Sequence, residues 1–127
     1  MIGMNTMPAI TDIYVALAER IAARLGSPRV RALHLPPPEA AAKDAEFCAL
    51  ELEDGSIGFT FVRLGELEPL LRARRDARAL AGVEAVALAR GYAGRDPADK
   101  ALGFAAINAL SQQLFARAKW TPADAGD

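Results

Sequence analysis

Apolar residues recur at helical spacing from about Pro8 to Leu25, where Ile10, Ile13, Tyr14, Leu17, Ile21 and Leu25 form one stripe. Glu19, Arg20 and Arg24 lie off that stripe, so the pattern predicts an amphipathic helix. Gly26-Ser27-Pro28 closes it, with Gly past the last turn and Pro beyond. Arg29 to Leu35 reads as a short strand, stopped by Pro36-Pro37-Pro38, which can donate no ladder hydrogen bonds. Glu39–Asp44 is Ala-rich and fits a loop or a single helical turn.

The sharpest local signal is a hairpin over Glu46–Val62. Asp54-Gly55 between alternating segments predicts a two-residue type I′ turn. That turn would pair Glu53 with Ser56, Leu52 with Ile57, Glu51 with Gly58, Leu50 with Phe59, Ala49 with Thr60 and Cys48 with Phe61. One face would then be wholly apolar (Leu52, Ile57, Leu50, Phe59, Cys48, Phe61). The other would be largely polar (Glu51, Glu53, Ser56, Gly58, Ala49, Thr60), and a one-residue slip would destroy the sorting.

Beyond Leu64-Gly65 the pattern is helical. Glu66, Glu68 and Pro69 suit the first turn of a helix whose last turn holds Arg72, Arg74 and Arg75. A second helix is predicted over Ala77–Arg90, with Leu80, Val83 and Ala87 inward, ended by Gly91 and Gly94. Asp96-Pro97-Ala98-Asp99 is a helix start, and the helix it opens runs to about Lys119 and is the most apolar in the chain. The order is helix, strand, hairpin, three helices. Segregation of strands from helices implies an α+β fold, a small antiparallel three-stranded sheet covered on one face by helices. The expected domain is 8–120, with 1–7 a flexible N-terminal tail and 121–127 a linker or frayed end.

Composition narrows the chemistry. The 127 residues suffice for one domain. Twenty-eight are Ala, which favours helix. Fifteen basic against sixteen acidic residues leave a net charge of −1, unlike a basic nucleic-acid domain. No apolar run reaches the length of a membrane span, and the N-terminus lacks the basic and apolar regions of a secretory signal. A cytoplasmic protein with no nucleic-acid or membrane partner is the expectation. A single Cys excludes an internal disulfide, and a single His excludes a multi-imidazole metal site within one chain.

Several side chains are candidates for chemistry. His34, just before the prolines, could act as a base but reads better as an exposed or structural residue. Cys48 is expected on the apolar hairpin face as a small hydrophobe. These two cannot complete a zinc shell, and no carboxylate spacing points to the remainder. Glu51 and Glu53, sharing the polar hairpin face with Ser56 and Thr60, could do acid–base work as a pair, although alternating acids are ordinary on an exposed strand. The cationic run Arg72–Arg78 suits a solvated helix end better than a phosphate site. Gly55, Gly58 and Gly65 make no phosphate loop, because no helix start follows at the required spacing. In the last helix, Gly103 and Asn108 interrupt an apolar sequence. They are expected either to serve tight packing or to line a ligand cleft. No catalytic residue and no reaction can be named.

Asp54-Gly-Ser-Ile-Gly58 after a strand, with Leu102-Gly-Phe-Ala-Ala-Ile-Asn-Ala-Leu110 on a late helix, resembles the enolase-N-terminal-like domain of unknown function. In that family the domain precedes a Rossmann-like domain assigned to heavy-metal chelation. The resemblance covers nearly the whole chain and implies three strands followed by helices. Its motif positions here are Gly58, Gly103, Ala106 and Asn108, and it transfers no catalytic role. It implies a half-site: Gly58, Gly103 and Asn108 at a ligand cleft, no metal site within this chain alone, and a divalent metal only where a second domain or subunit adds ligands. The partner would be a Rossmann-like C-terminal domain or a second copy in a homodimer. The chain is then either part of a two-domain protein or a stand-alone version. The other reading is a non-enzymatic structural or assembly module, and a third is a small enzyme using Glu51, Glu53 or His34.

Overall fold

The computed structural model describes residues 9–36, 45–63 and 66–118. The expected tails 1–7 and 121–127, the loop or turn at 39–44 and Gly65 lie outside them. The elements run α1 (Ile10–Leu25), β1 (Val30–His34), β2 (Ala45–Leu52), β3 (Ile57–Arg63), α2 (Glu68–Asp76), α3 (Ala85–Ala89), a 3₁₀ turn (Arg90–Ala93) and α4 (Pro97–Ala118). The fold is α+β, with an antiparallel sheet in the order β1-β2-β3 and helical cover on one face.

α4 organises the core. Asp96 caps its start, its Oδ1 accepting from the amides of Ala98 (2.8 Å) and Asp99 (3.1 Å), as the Asp-Pro signal predicts. The helix is apolar all round and correspondingly buried: Leu102, Ala105, Ala106, Ala109 and Leu110 are fully enclosed. One side packs on β3 and β2, the other on α1, α3 and the 3₁₀ turn. Small residues let these elements close on it.

The hairpin forms where the turn signal places it, but in a register one residue away from the expected one. Glu51 pairs with Ile57, Leu50 with Gly58, Cys48 with Thr60 and Phe47 with Phe61. A type I′ turn needs positive φ at both central residues, and only Gly55 supplies it (φ 92°). Instead Gly55 N–H donates to Leu52 O (3.0 Å) and Leu52 N–H donates to Ser56 O (2.9 Å), enclosing a three-residue loop. Asp54 holds its exit, accepting from Ser56 N–H (2.9 Å) and from Ser56 Oγ–H (3.0 Å). The inner face is therefore Cys48, Leu50, Leu52, Gly58, Thr60 and Val62, with Ser56 buried beside it. Phe47, Phe59 and Phe61, two of them expected inside, point outward.

Two helical expectations also change. The stripe of α1 meets the core only toward its C-terminal end: Ile21 is buried with Ala18, while Ile10, Ile13, Tyr14 and Leu17 are exposed. The predicted Ala77–Arg90 helix shrinks to α3, with Ala85 and Ala89 buried and Ala87 exposed. Left-handed Arg78 (φ 57°) and Gly82 (φ 85°) break it. The freed segment pairs with the edge of β1: Val30 N–H donates to Val83 O (2.8 Å) and Gly82 N–H to Val30 O (2.9 Å). α2 begins at Glu68, so Glu66 precedes the helix.

Candidate functional site

Gly58 and Asn108 meet where β3 crosses α4. A Cβ on Gly58 would collide with the Ala105 carbonyl oxygen and lie 2.5 Å from the Ala109 nitrogen, so only glycine allows this approach. Asn108 Nδ2 donates to Phe59 O (2.9 Å), and one turn on, Gln112 Oε1 accepts from Ile57 N–H (2.6 Å). Gly103 lies against a different neighbour: its Cβ would collide with the Tyr92 amide nitrogen and stand 2.9 Å from Leu88 O. Of the three expected cleft residues, Gly58 and Asn108 share the β3 seam, and Gly103 serves the seam with α3 and the 3₁₀ turn. Ala106 is fully buried.

The outer sheet face carries the exposed polar groups. A bulge at Arg31 in β1 shifts the register, so that His34 stands opposite Ala49 and within reach of Glu51. His34 Nε2 lies 2.9 Å from Glu51 Oε1, and Arg31 donates to Glu51 Oε2 at 3.0 Å. These contacts, the His34 hydrogen bond foremost, hold the Glu51 carboxyl below the usual carboxylate range. Arg31 also donates to Glu53 O (2.8 Å), and Glu53 itself is exposed. Beside this cluster stand Phe47, Phe59 and Phe61, each more than half exposed. Phe47 packs edge-on against Phe59 and Phe61, at centroid distances of 6.5 and 5.1 Å.

Cys48 lies on the opposite, buried face, and burial pushes its thiol up to about 11. The arginine run is mostly neutralised locally. Arg72 pairs with Glu68, Arg74 with Asp99 (2.5 Å) and Arg75 with Asp76 (3.0 Å). Among the described residues no three His, Cys, Asp or Glu side chains come together as a metal site. The donors are divided: His34 and Glu51 outside, Cys48 inside. The aromatic cluster and the Gln112 cap were missed from the sequence. Their signal is the odd-numbered row 57, 59, 61 of β3, which the shifted register turns outward.

A family model described as "Putative heavy-metal chelation" matches residues 45–111, more than half of the chain. The chain belongs to this family. No curated protein and no solved structure matches it. Within the heavy-metal chelation family's span fall Cys48, Glu51, Gly58, Gly103 and Asn108, whereas Arg31 and His34 precede it. No helix among the described residues is long and apolar enough to cross a membrane.

Proposed function

We propose that this chain is a half-site domain of a heavy-metal or small-ligand-binding protein. It supplies part of a coordination shell that a second domain, of the Rossmann-like kind, or a second subunit completes. The observation that carries this reading is the His34–Glu51 pair, one imidazole nitrogen and one carboxylate on an open sheet face. A nitrogen and an oxygen donor suit zinc, nickel or cobalt, each of which needs further ligands. Arg31 holds Glu51 in place as a positioning residue. Family membership supports the metal class, and the enolase-like resemblance supports a two-part arrangement. Gly58, Gly103 and Asn108 serve this reading by fixing α4 against the sheet.

Titration of the chain with Ni²⁺, Co²⁺ and Zn²⁺ tests it. Weak binding that perturbs the His34 ring resonances and disappears in His34→Ala is expected. Stoichiometric tight binding by the chain alone overturns the half-site reading, and unperturbed His34 resonances overturn its donor set.

A second reading, a non-enzymatic module that assembles as a homodimer or docks a partner, is favoured by the exposed Phe47, Phe59 and Phe61 cluster. Light scattering tests it: a 13.5 kDa species at every concentration counts against the homodimer.

A further inference from the structure

Ala49 stands at the middle of the outer sheet face. Its row runs from His34 of β1 through Ala49 of β2 to Phe59 of β3, with Phe47 and Glu51 two residues to either side of Ala49. The donors His34 and Glu51 therefore occupy one corner around this small residue, and Phe47, Phe59 and Phe61 occupy the opposite one. Strand spacings of about 4.8 Å and two-residue steps of about 6.6 Å put the line joining the two patches at roughly 40° to the strands, over Ala49.

A twofold axis laid along that line, between two copies, sets each patch against itself, rings on rings and donors on donors. The strands of the two copies then cross at roughly 80°, close to the orthogonal way in which sheets pack. Sheets stacked about 10 Å apart leave a point about 5 Å above each copy, within reach of histidine and glutamate side chains. Ala49 faces its own counterpart there, and a methyl group lets the sheets close to that distance.

Two donors from each copy make four. His34 Nε2 and Glu51 Oε1 are 2.9 Å apart. The edge of a tetrahedron around zinc is about 3.3 Å for bonds of about 2.0 Å, so a small shift lets both atoms hold one ion. Arg31 binds the other oxygen, Oε2, at 3.0 Å, which leaves Oε1 for the ion. With zinc on Nε2 the ring hydrogen sits on Nδ1, so His34 binds as neutral imidazole.

We infer that two copies of this chain meet through the outer sheet face and hold one zinc ion between them, with His34 and Glu51 of both as its ligands. This rests on the half-site reading and names the partner as a second copy. Three-stranded ribbons about 14 Å wide, crossed in this way, overlap over only about 200 Å² in outline. A stable interface hides about 800 Å² per partner. The rings alone are too small a contact, so the pair forms only with the metal.

Light scattering of the full chain at rising protein concentration, metal-free and with Zn²⁺, is the test, read beside zinc stoichiometry by equilibrium dialysis and the His34 ring resonances. A 13.5 kDa species is expected without metal. Zinc should double its mass, saturate at one ion per two chains, bind more tightly as protein concentration rises, and be reversed by EDTA. His34→Ala should stay single with zinc. Phe47→Ser with Phe59→Ser should need roughly tenfold more protein to pair, while its His34 resonances still respond to zinc. His34 resonances that respond at unchanged mass overturn this inference and leave the half-site reading standing. Pairing that neither needs zinc nor changes with it overturns the shared site in the same way. One ion bound tightly per single chain, or His34 resonances that do not respond, overturns both.

Discussion

The backbone of Gly58 rests directly on that of Ala105 and Ala109, with no room for a single methyl group between strand and helix. Backbone cannot yield as a flexible side chain can, so Gly58→Ala should cost about 3 kcal/mol. Gly103→Ala separates two effects of opposite sign. Helix propensity alone would stabilise by about 1 kcal/mol, whereas contact with the Tyr92 backbone opposes it. A net loss of about 1–2 kcal/mol in urea unfolding is expected, and a gain would show that the seam can open.

The Glu51 carboxyl, held low by His34 and Arg31, gives stability its pH dependence on this face. A depressed folded-state value means that its contribution is present above the ordinary glutamate range and lost as the pH falls through and below that range. The thermal midpoint of the native chain should therefore fall toward that of Glu51→Gln on acidification, with the gap largest near neutrality. Parallel melting curves from neutral to acidic pH check this.

Cys48 should be inert in the folded chain. Its thiol titrates near 11, so it stays protonated at pH 8 and is enclosed as well. Ellman's reagent at pH 8 should react slowly with native protein and promptly in denaturant. The raised value contributes stability up to the ordinary thiol range, and this is lost as the pH rises toward 11.

Phe47→Ser with Phe59→Ser should leave the fold nearly intact, with a loss of about 1–2 kcal/mol for the two edge-on ring contacts of Phe47. If the outer face mediates association, the pair of changes should abolish concentration-dependent scattering. Unchanged association would move the interface elsewhere, with the exposed Ile10, Ile13 and Leu17 of α1 the next surface to substitute.

What could be read from the sequence was local. Asp96 caps α4 through its own neighbours, and the signal holds without reference to the rest of the fold. Asp54-Gly55 likewise marks the hairpin. Its register could not be read because both faces are apolar: Cys48, Leu50 and Leu52 compete with Phe47, Phe59 and Phe61. The close approach of α4 at Gly58 and the single left-handed residue in the loop favour the former set. The broken helix after α2 depends on pairing with β1, more than 50 residues earlier in the chain. For the site, Gly103 and Asn108 were conspicuous as anomalies in an apolar helix, but their partners were not. The His34–Glu51 contact depends on a bulge in β1 that no spacing rule reveals.

Among the described residues both borders of the sheet are met in part, one by Gly82–Val83 bonding to Val30 of β1 and the other by Asn108, Gln112 and Leu67 bonding to β3. A fourth full strand would have to displace these contacts, which hinders the route by which small sheets grow into ribbons and fibrils. Copies of this chain that meet through the outer sheet face do so broadside. Such contact uses up the outer sheet face that carries Phe47, Phe59 and Phe61, so it stops at a pair.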